Sequence, residues 1–410
     1  MRTPLDSPFS PGSDAVPQIW AGRSAQLSDW RDVLRPRRLA GLPERGRTIL
    51  GEAGTGKSAL VRRIAAHAAA SGDWVTDQLR MPLGADPLKR LASALLALAA
   101  SAGLSTAADA RVGALLARVE AVAVSGVSLS LRQAPGAEPY TDLTSLLLEI
   151  GRAALRRGVV VLIHLDEVQN ITRPEVLSHT LIALGDALSH EEEITLPGGV
   201  VASRALPVVV YLTGLPEFAD MAGARSGATF ARRFRTTILD SIGDDDLGAA
   251  LQPLVTEGWP ILSADGDARR VHMSAEARDL IVERACGEPF LFQLAGERAW
   301  YAGTSDLITA DDVVRGWSDV APEAEAHVQR LLERLPERER HFLDAMAGLE
   351  AQERTLTAIT QAMGLSKATE AGTTARRLDL NRRIVQRGKP YSFRHRAIGA
   401  YLTSDWPAPS

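Results

Sequence analysis

The stretch Thr48-Ile49-Leu50-Gly51-Glu52-Ala53-Gly54-Thr55-Gly56-Lys57-Ser58-Ala59-Leu60 holds the pattern G-x-x-x-x-G-K-[ST] between a short apolar run and an Ala-rich segment carrying Leu60, Val61 and Ile64. Residues of these types at this spacing do chemistry on phosphates. The glycines let the backbone turn tightly, so that the N–H groups from Gly51 through Glu52, Ala53, Gly54, Thr55 and Gly56 to Ala59 point at an anion held at the positive end of a helix. Lys57 would reach the β- and γ-phosphates of a nucleotide such as ATP, and the Ser58 hydroxyl would help hold its Mg2+. For this the loop needs a strand before it and a helix after it, and the flanking residues supply both patterns.

About a hundred residues on, Val159 to Leu165 is a nearly continuous β-branched and aliphatic run that ends at Asp166-Glu167. A run of that kind reads as a central parallel strand covered on both faces, and the carboxyl ends of such strands open onto the crevice where ligands bind. Asp166 is therefore expected in the Mg2+ shell, and Glu167 is expected to orient and deprotonate an attacking water. His164, inside the strand, reads as a core histidine. A second apolar run, Leu206 to Leu212, ends in Thr213, whose hydroxyl is expected near the γ-phosphate or the water; the competing reading is a hydroxyl that caps a turn. Arg232 and Arg233 precede Phe234 and would stabilise charge on a neighbouring subunit's phosphates, the competing reading being ordinary surface charge.

The 410 residues suffice for two or three domains, and the net charge of −4 gives no general attraction to nucleic acid or anionic lipid, so any basic surface must be local. The single cysteine, Cys286, excludes an internal disulfide framework and fits a reducing, cytoplasmic setting. Residues 1–17 have no apolar run of the secretory kind and read as a Pro/Ser/Gly-rich disordered tail. The uncharged run Leu91 to Ala108, with Leu91, Leu95 and Leu98 at helical spacing, reads as a packed helix and not as a membrane span. Between Ser101 and Pro139 the periodicity is weak, and Gly126-Val127-Ser128-Leu129-Ser130-Leu131 suggests a small inserted β element.

Taken in order, these parts resemble the AAA+ ATPases of the Orc1/Cdc6-like and archaeal-ATPase branch, from about Trp20 to Leu402. Trp20-Ala21-Gly22-Arg23 with Leu27 is similar to that family's entry box, which puts Gly22 and Arg23 beside the adenine. The loop, the strand ending at Asp166-Glu167 and Thr213 correspond to Walker A, Walker B and sensor 1. Cys286-Gly287-Glu288-Pro289 resembles the G-x-P element, in which Gly287 and Pro289 set a turn that closes a helical lid over the base, with Cys286 at a small buried position. The lid has no unambiguous sensor 2 arginine; Arg284 and Arg298 are the nearest. The resemblance implies an α/β fold, an AAA+ P-loop core with a parallel sheet and flanking helices over 18–240, a helical lid over 241–325 and a C-terminal winged-helix domain over 326–410. It also implies ATP and Mg2+ as cofactors, a homo-oligomer and ATP hydrolysis.

The C-terminal part supports that division. Phe342, Leu343 and Met346, then Leu356, Ile359 and Met363, fall at helical spacing, and a third helix opens after Gly364 with Ser366 as its expected N-cap. Ile384-Val385-Gln386 and Tyr391-Ser392-Phe393 then read as a hairpin. Between Ser366 and Arg396 there are nine Lys or Arg against two acids. That local excess marks Arg376, Arg377, Arg382 and Arg383 near the groove, with Arg387 and Lys389 on the wing, as contacts to duplex DNA. The expected role is a nucleotide-driven, DNA-associated switch: a loader, a transposition or replication regulator, or part of a mobile-element or defence system. The alternative is a STAND-like signalling ATPase whose C-terminal domain recruits a protein partner.

Overall fold

A computed structural model of the protein describes residues 2–12, 16–104, 139–195, 197–224, 231–262 and 268–408. The β element expected at 126–131 lies outside the described residues. The chain forms two compact units, one of Ser24–Leu50 with Leu60–Thr237, the other of Met1–Arg23, Gly51–Ala59 and Ile238–Ser410.

The first unit is built on a six-stranded sheet. Its elements are α1 (Ser24–Ser28), α2 (Arg35–Leu39), β1 (Gly46–Leu50), most of α3 (Lys57–Ala70), β2 (Trp74–Val75), β3 (Leu79–Arg80), α4 (Pro87–Ser101), α5 (Pro139–Arg157), β4 (Val161–Asp166), α6 (Pro174–Ser189), an antiparallel hairpin of β5 (Glu191–Thr195) and β6 (Val201–Ala205), β7 (Val208–Gly214), α7 (Phe218–Ala224) and β8 (Phe234–Ile238). Strand order is β2-β4-β7-β1-β8 with β3 also on β4, and the β1–β7, β4–β7, β2–β4 and β3–β4 pairs are parallel. Every residue of β4 and β7 is buried, as their uninterrupted apolar runs require of strands covered on both faces. Register sets Ile49 opposite Thr213 and Leu165 opposite Leu212, which brings the carboxyl ends of β1, β7 and β4 level. The run beginning at Leu91 is a packed helix: Leu91, Leu95 and Leu98 of α4 are buried, and Asp86 caps the helix by accepting from Leu88 N at 3.0 Å and Lys89 N at 3.2 Å. No described helix is long and apolar enough to cross a membrane.

In the second unit α8 (Asp244–Thr256), β9 (Trp259–Leu262), β10 (Ala268–Met273), α9 (Ala275–Ala285), α10 (Pro289–Tyr301), β11 (Leu307–Ile308) and α11 (Ala310–Glu333) share one core with α12 (Glu337–Ala347), α13 (Leu356–Ala362), α14 (Ala368–Leu380), the hairpin of β12 (Val385–Gln386) and β13 (Ser392–Phe393), and α15 (Arg396–Thr403). Trp300 and Trp317 are its largest fully buried side chains. The backbones of α10 and α11 approach so closely at Gly316 that a Cβ there would lie 2.4 Å from the Arg298 carbonyl oxygen, which only glycine allows. The third helix of the C-terminal group starts one residue later than its sequence suggests. Lys367 is its N-cap residue, and the Ser366 hydroxyl donates instead to Glu370 Oε1 at 3.1 Å.

The N-terminal segment departs from the expectation of a disordered tail, because Arg2, Pro8 and Phe9 are buried. Phe9 meets Phe292 edge-on with ring centroids 6.4 Å apart. The buried Arg2 guanidinium donates to Trp300 O at 2.9 Å and Leu307 O at 2.8 Å and pairs with Asp312 at 3.0 Å. Ordering each residue costs about 1–2 kcal/mol and burying one Phe recovers about 1.5–3 kcal/mol, so the phenyl ring alone would not hold the segment. Arg2 adds buried charge-assisted hydrogen bonds, whose partners are about 300 residues away in sequence.

Candidate functional site

Within the second unit, the loop from Gly51 to Gly56 is curled on itself. Gly54 and Gly56 are left-handed, with φ of +85° and +81°, and a Cβ at Gly51 would stand 2.7 Å from Thr55 Oγ1. Thr55 Oγ1 donates to Glu52 O at 2.8 Å, and Lys57, the first residue of α3, donates through Nζ to Gly51 O at 2.9 Å and Glu52 O at 2.8 Å. This is a cradle whose close turns glycine alone can make, closed by the cation at its mouth, so the residues present fit a nucleotide's phosphates.

The expected flanking residues gather around it. Arg23, itself left-handed at φ +62°, donates through Nη2 to Thr55 O at 3.0 Å and through Nη1 to Asp240 O at 2.9 Å. Burial lowers its pKa to about 10, against the pull of Asp240 and Asp246. A cavity of about 40 Å³ lies between Ile19, Trp20, Arg23, Gly56, Pro289 and Phe292. Gly22 is left-handed at φ +61°, and a Cβ there would lie 3.1 Å from Ile242 Cγ2. At the expected lid turn Gly287 takes φ +77° and its carbonyl accepts from Ile242 N at 2.7 Å, while Pro289 opens α10 and Phe290 N donates to Gly54 O at 3.3 Å. Cys286 is half-buried and burial pushes its thiol up to about 11, which keeps it protonated near pH 7.

The sequence did not anticipate a set of buried charges on the same loop. Glu52, almost fully buried, faces Arg382 Nη1 at 3.4 Å, and Arg382 Nε donates to Glu339 Oε2 at 3.1 Å. Arg382 is thus an internal residue at 5% exposure, which removes it from the expected DNA face. Beside it, Glu288 lies between two imidazoles, His327 Nε2 at 2.7 Å and His395 Nε2 at 2.6 Å. Burial pushes the Glu288 carboxyl up, but the two histidines, His395 first, outweigh it and hold its pKa at about 2. Burial likewise pushes His395 down, and Glu288 outweighs it and raises the imidazole above its ordinary 6.5. A histidine with a raised folded pKa contributes stability that is fully present below the unfolded value of about 6.5 and is lost as pH rises through the folded one. Melting temperature is therefore expected to fall between pH 6 and pH 9 more steeply in the wild type than in His395→Gln; parallel curves by circular dichroism would show that the pair does not titrate as described.

Of the two arginines named from the sequence for sensor 2, Arg284 donates to Ala408 O at 3.3 Å and Arg298 lies over the Tyr301 ring at 5.8 Å. Of the remaining basic residues, Arg376, Arg377, Arg387 and Lys389 are exposed, with Arg377 3.3 Å from Glu339 and Arg387 2.9 Å from Asp379. Arg383 is half-buried, with Nε 3.5 Å from Asp240 Oδ1.

In the first unit the acids stand at the end of β4. Asp166 is buried and accepts from the Thr213 hydroxyl, from Gln78 and, through Oδ1, from Glu167 N at 2.9 Å. Thr213 is fully buried, with His164 Nε2 2.8 Å from its hydroxyl. Its hydroxyl thus lies between Asp166 Oδ1 and His164 Nε2. Burial lowers the His164 pKa to about 4, so the imidazole is neutral near pH 7. Glu167 is left-handed at φ +59°, a conformation that turns its half-exposed side chain out of the strand, where Gln169 donates to it. Arg233 is paired with Asp186 of α6, which assigns it an intrachain partner, whereas Arg232 is exposed.

Residues 19–197 match the AAA ATPase domain family. None of the curated proteins matches the chain. Among solved structures it is similar to the Aeropyrum pernix ORC2 protein in ADPNP–ADP complexes, with 17% identity, a TM-score of 0.55, and coverage of 96% of this chain and 94% of that one. The Aeropyrum pernix ORC1 protein in complex with DNA has 17% identity, a TM-score of 0.41 and coverage of 95% and 94%. The Thermotoga maritima RuvB Holliday junction branch migration motor has 15% identity, a TM-score of 0.39 and coverage of 91% and 92%.

Proposed function

We propose, from the match of residues 19–197 to the AAA ATPase domain family, that the chain binds ATP with Mg2+ on Gly51–Ser58, hydrolyses it, and uses the cycle to drive a DNA-associated switch. The observation that carries the nucleotide reading is the glycine cradle closed by Lys57 Nζ on the Gly51 and Glu52 carbonyls. When bound, the metal supplies charge neutralisation at the β- and γ-oxygens. On the protein's side Lys57 holds the phosphates, Ser58 and Asp166 hold the metal, and Thr213 with Gln78 keeps Asp166 in one rotamer. Glu167 accepts the proton of the attacking water. Arg23 and the apolar wall of Ile19, Trp20 and Phe292 take the base. Arg232 is the remaining candidate for a phosphate contact across a homo-oligomer interface.

The division proposed is a core over 18–240, a lid over 241–325 and a winged helix over 326–410. DNA contact rests on the exposed cluster Arg376, Arg377, Arg387 and Lys389, the part of the basic excess that reaches solvent. Each phosphate neutralised releases condensed counterions, so log affinity is expected to fall with log salt at a slope of about −0.9 per contact. Fluorescence anisotropy with duplex DNA over a salt series tests this. Replacing the four residues by Ala should weaken binding and flatten the slope. Wild-type binding that is absent with and without ATP would favour the second reading, a signalling ATPase with a protein partner, for which the buried Arg382–Glu52 contact speaks because it links the C-terminal helices to the phosphate loop.

A further inference from the structure

A cavity of about 10 Å³, room for about one water, lies against the phosphate loop between Glu52, Thr55, Asp240, Glu288, Arg383 and His395. Three cationic groups from the C-terminal helices and hairpin reach it. Two of them are committed to carboxylates inside the protein, Arg382 to Glu52 and Glu339 and His395 to Glu288. Arg383 is held more loosely. Its nearest carboxylate oxygen, Asp240 Oδ1, is 3.5 Å from Nε, Arg394 shares that carboxylate at 3.8 Å, and Nε is buried without a hydrogen bond. The residue is also left-handed at φ +59°, a costly conformation for a side chain of this size, and one that aims it into the cavity alongside Arg382.

Lys57 fixes which end of the loop this is. Its Nζ sits on the Gly51 and Glu52 carbonyls, and the lysine of such loops meets the β- and γ-phosphates, so the Glu52 side of the cradle is the terminal-phosphate side. We propose that Arg383, carried by the C-terminal helix-and-hairpin group, is the residue that contacts the terminal phosphate of a bound nucleoside triphosphate and so distinguishes it from the diphosphate. This rests on the nucleotide reading above. A terminal phosphate is too large for the cavity as it stands, so the contact requires Arg383 to leave Asp240 and the C-terminal group to shift with it. A diphosphate makes no such demand.

The test is direct titration of fluorescently labelled ATP and ADP against wild type, Arg383→Gln, Arg383→Lys and Lys57→Ala, with melting curves recorded without nucleotide. One charge-assisted contact corresponds to about 10- to 100-fold in affinity. Arg383→Gln is expected to lose that much for ATP and less than about twofold for ADP, and Arg383→Lys to keep the greater part of the preference. Equal losses for ATP and ADP, or unchanged affinities for both, would overturn the assignment, whatever the melting curves show. Wild type that binds neither nucleotide would overturn the nucleotide reading and this inference with it. Wild type that binds both, with Lys57→Ala weakening both and Arg383→Gln indistinguishable from wild type, would overturn this inference alone.

Discussion

Glu167→Gln is expected to lower ATP turnover by about 10²- to 10⁴-fold while nucleotide affinity stays near that of the wild type. Gln keeps the size and one acceptor of the side chain at the end of β4 but cannot take a proton from water. It also keeps the contact with Gln169, so the left-handed turn at this position is not disturbed. Lys57→Ala is the complementary change. It removes the cation on the Gly51 and Glu52 carbonyls, so the loss should appear in affinity first, by about 10²-fold or more, since a buried charge-assisted contact to phosphate is worth about 1.5–3 kcal/mol and the cradle also loses its closure. Single-turnover hydrolysis and equilibrium titration separate the two effects. Turnover in Glu167→Gln equal to the wild type would remove Glu167 from the proton transfer, and full affinity in Lys57→Ala would remove the nucleotide from this loop.

Arg382→Ala is expected to cost about 3–5 kcal/mol of stability, because it leaves Glu52 and Glu339 buried without the guanidinium between them. The cost should come mainly from the two carboxylates losing this guanidinium, with Glu339 keeping Arg377 at 3.3 Å. Adding Glu52→Gln and Glu339→Gln to Arg382→Ala should therefore recover a good part of it, a non-additivity that a lost surface contact would not produce. Urea unfolding followed by circular dichroism measures both. A change of less than about 0.5 kcal/mol together with a lost DNA affinity would return Arg382 to the nucleic-acid face that its sequence position suggested.

The difference between those two predictions marks what can be read locally. The phosphate loop, the strand ending at Asp166-Glu167 and the strand ending at Thr213 are legible because each is a short segment whose own chemistry forces its shape. Glycines permit the tight turn, β-branched runs demand cover on both faces, and a polar residue at the end of a buried strand stands at the sheet's carboxyl edge. The turn at Gly287 and Pro289 belongs to the same class. Charge did not read as well. Counting Lys and Arg between Ser366 and Arg396 found the basic segment but could not sort it, because a guanidinium's partner is chosen by distance in space. Arg376 and Arg377 are exposed on α14, while Arg382, a few residues on, is buried against a glutamate 330 residues away. The N-terminal tail was misread for the same reason: Pro, Ser and Gly describe its local stiffness and polarity, and nothing in seventeen residues reveals that Arg2 and Phe9 have carbonyls and an aromatic ring waiting on α10 and the strand beyond it. Local patterns determined the backbone of the candidate site, since strand, loop and helix follow from neighbouring residues. Tertiary packing alone decided which charges face the phosphate loop, because Coulombic pairing in a buried setting outweighs any local preference of the side chains involved.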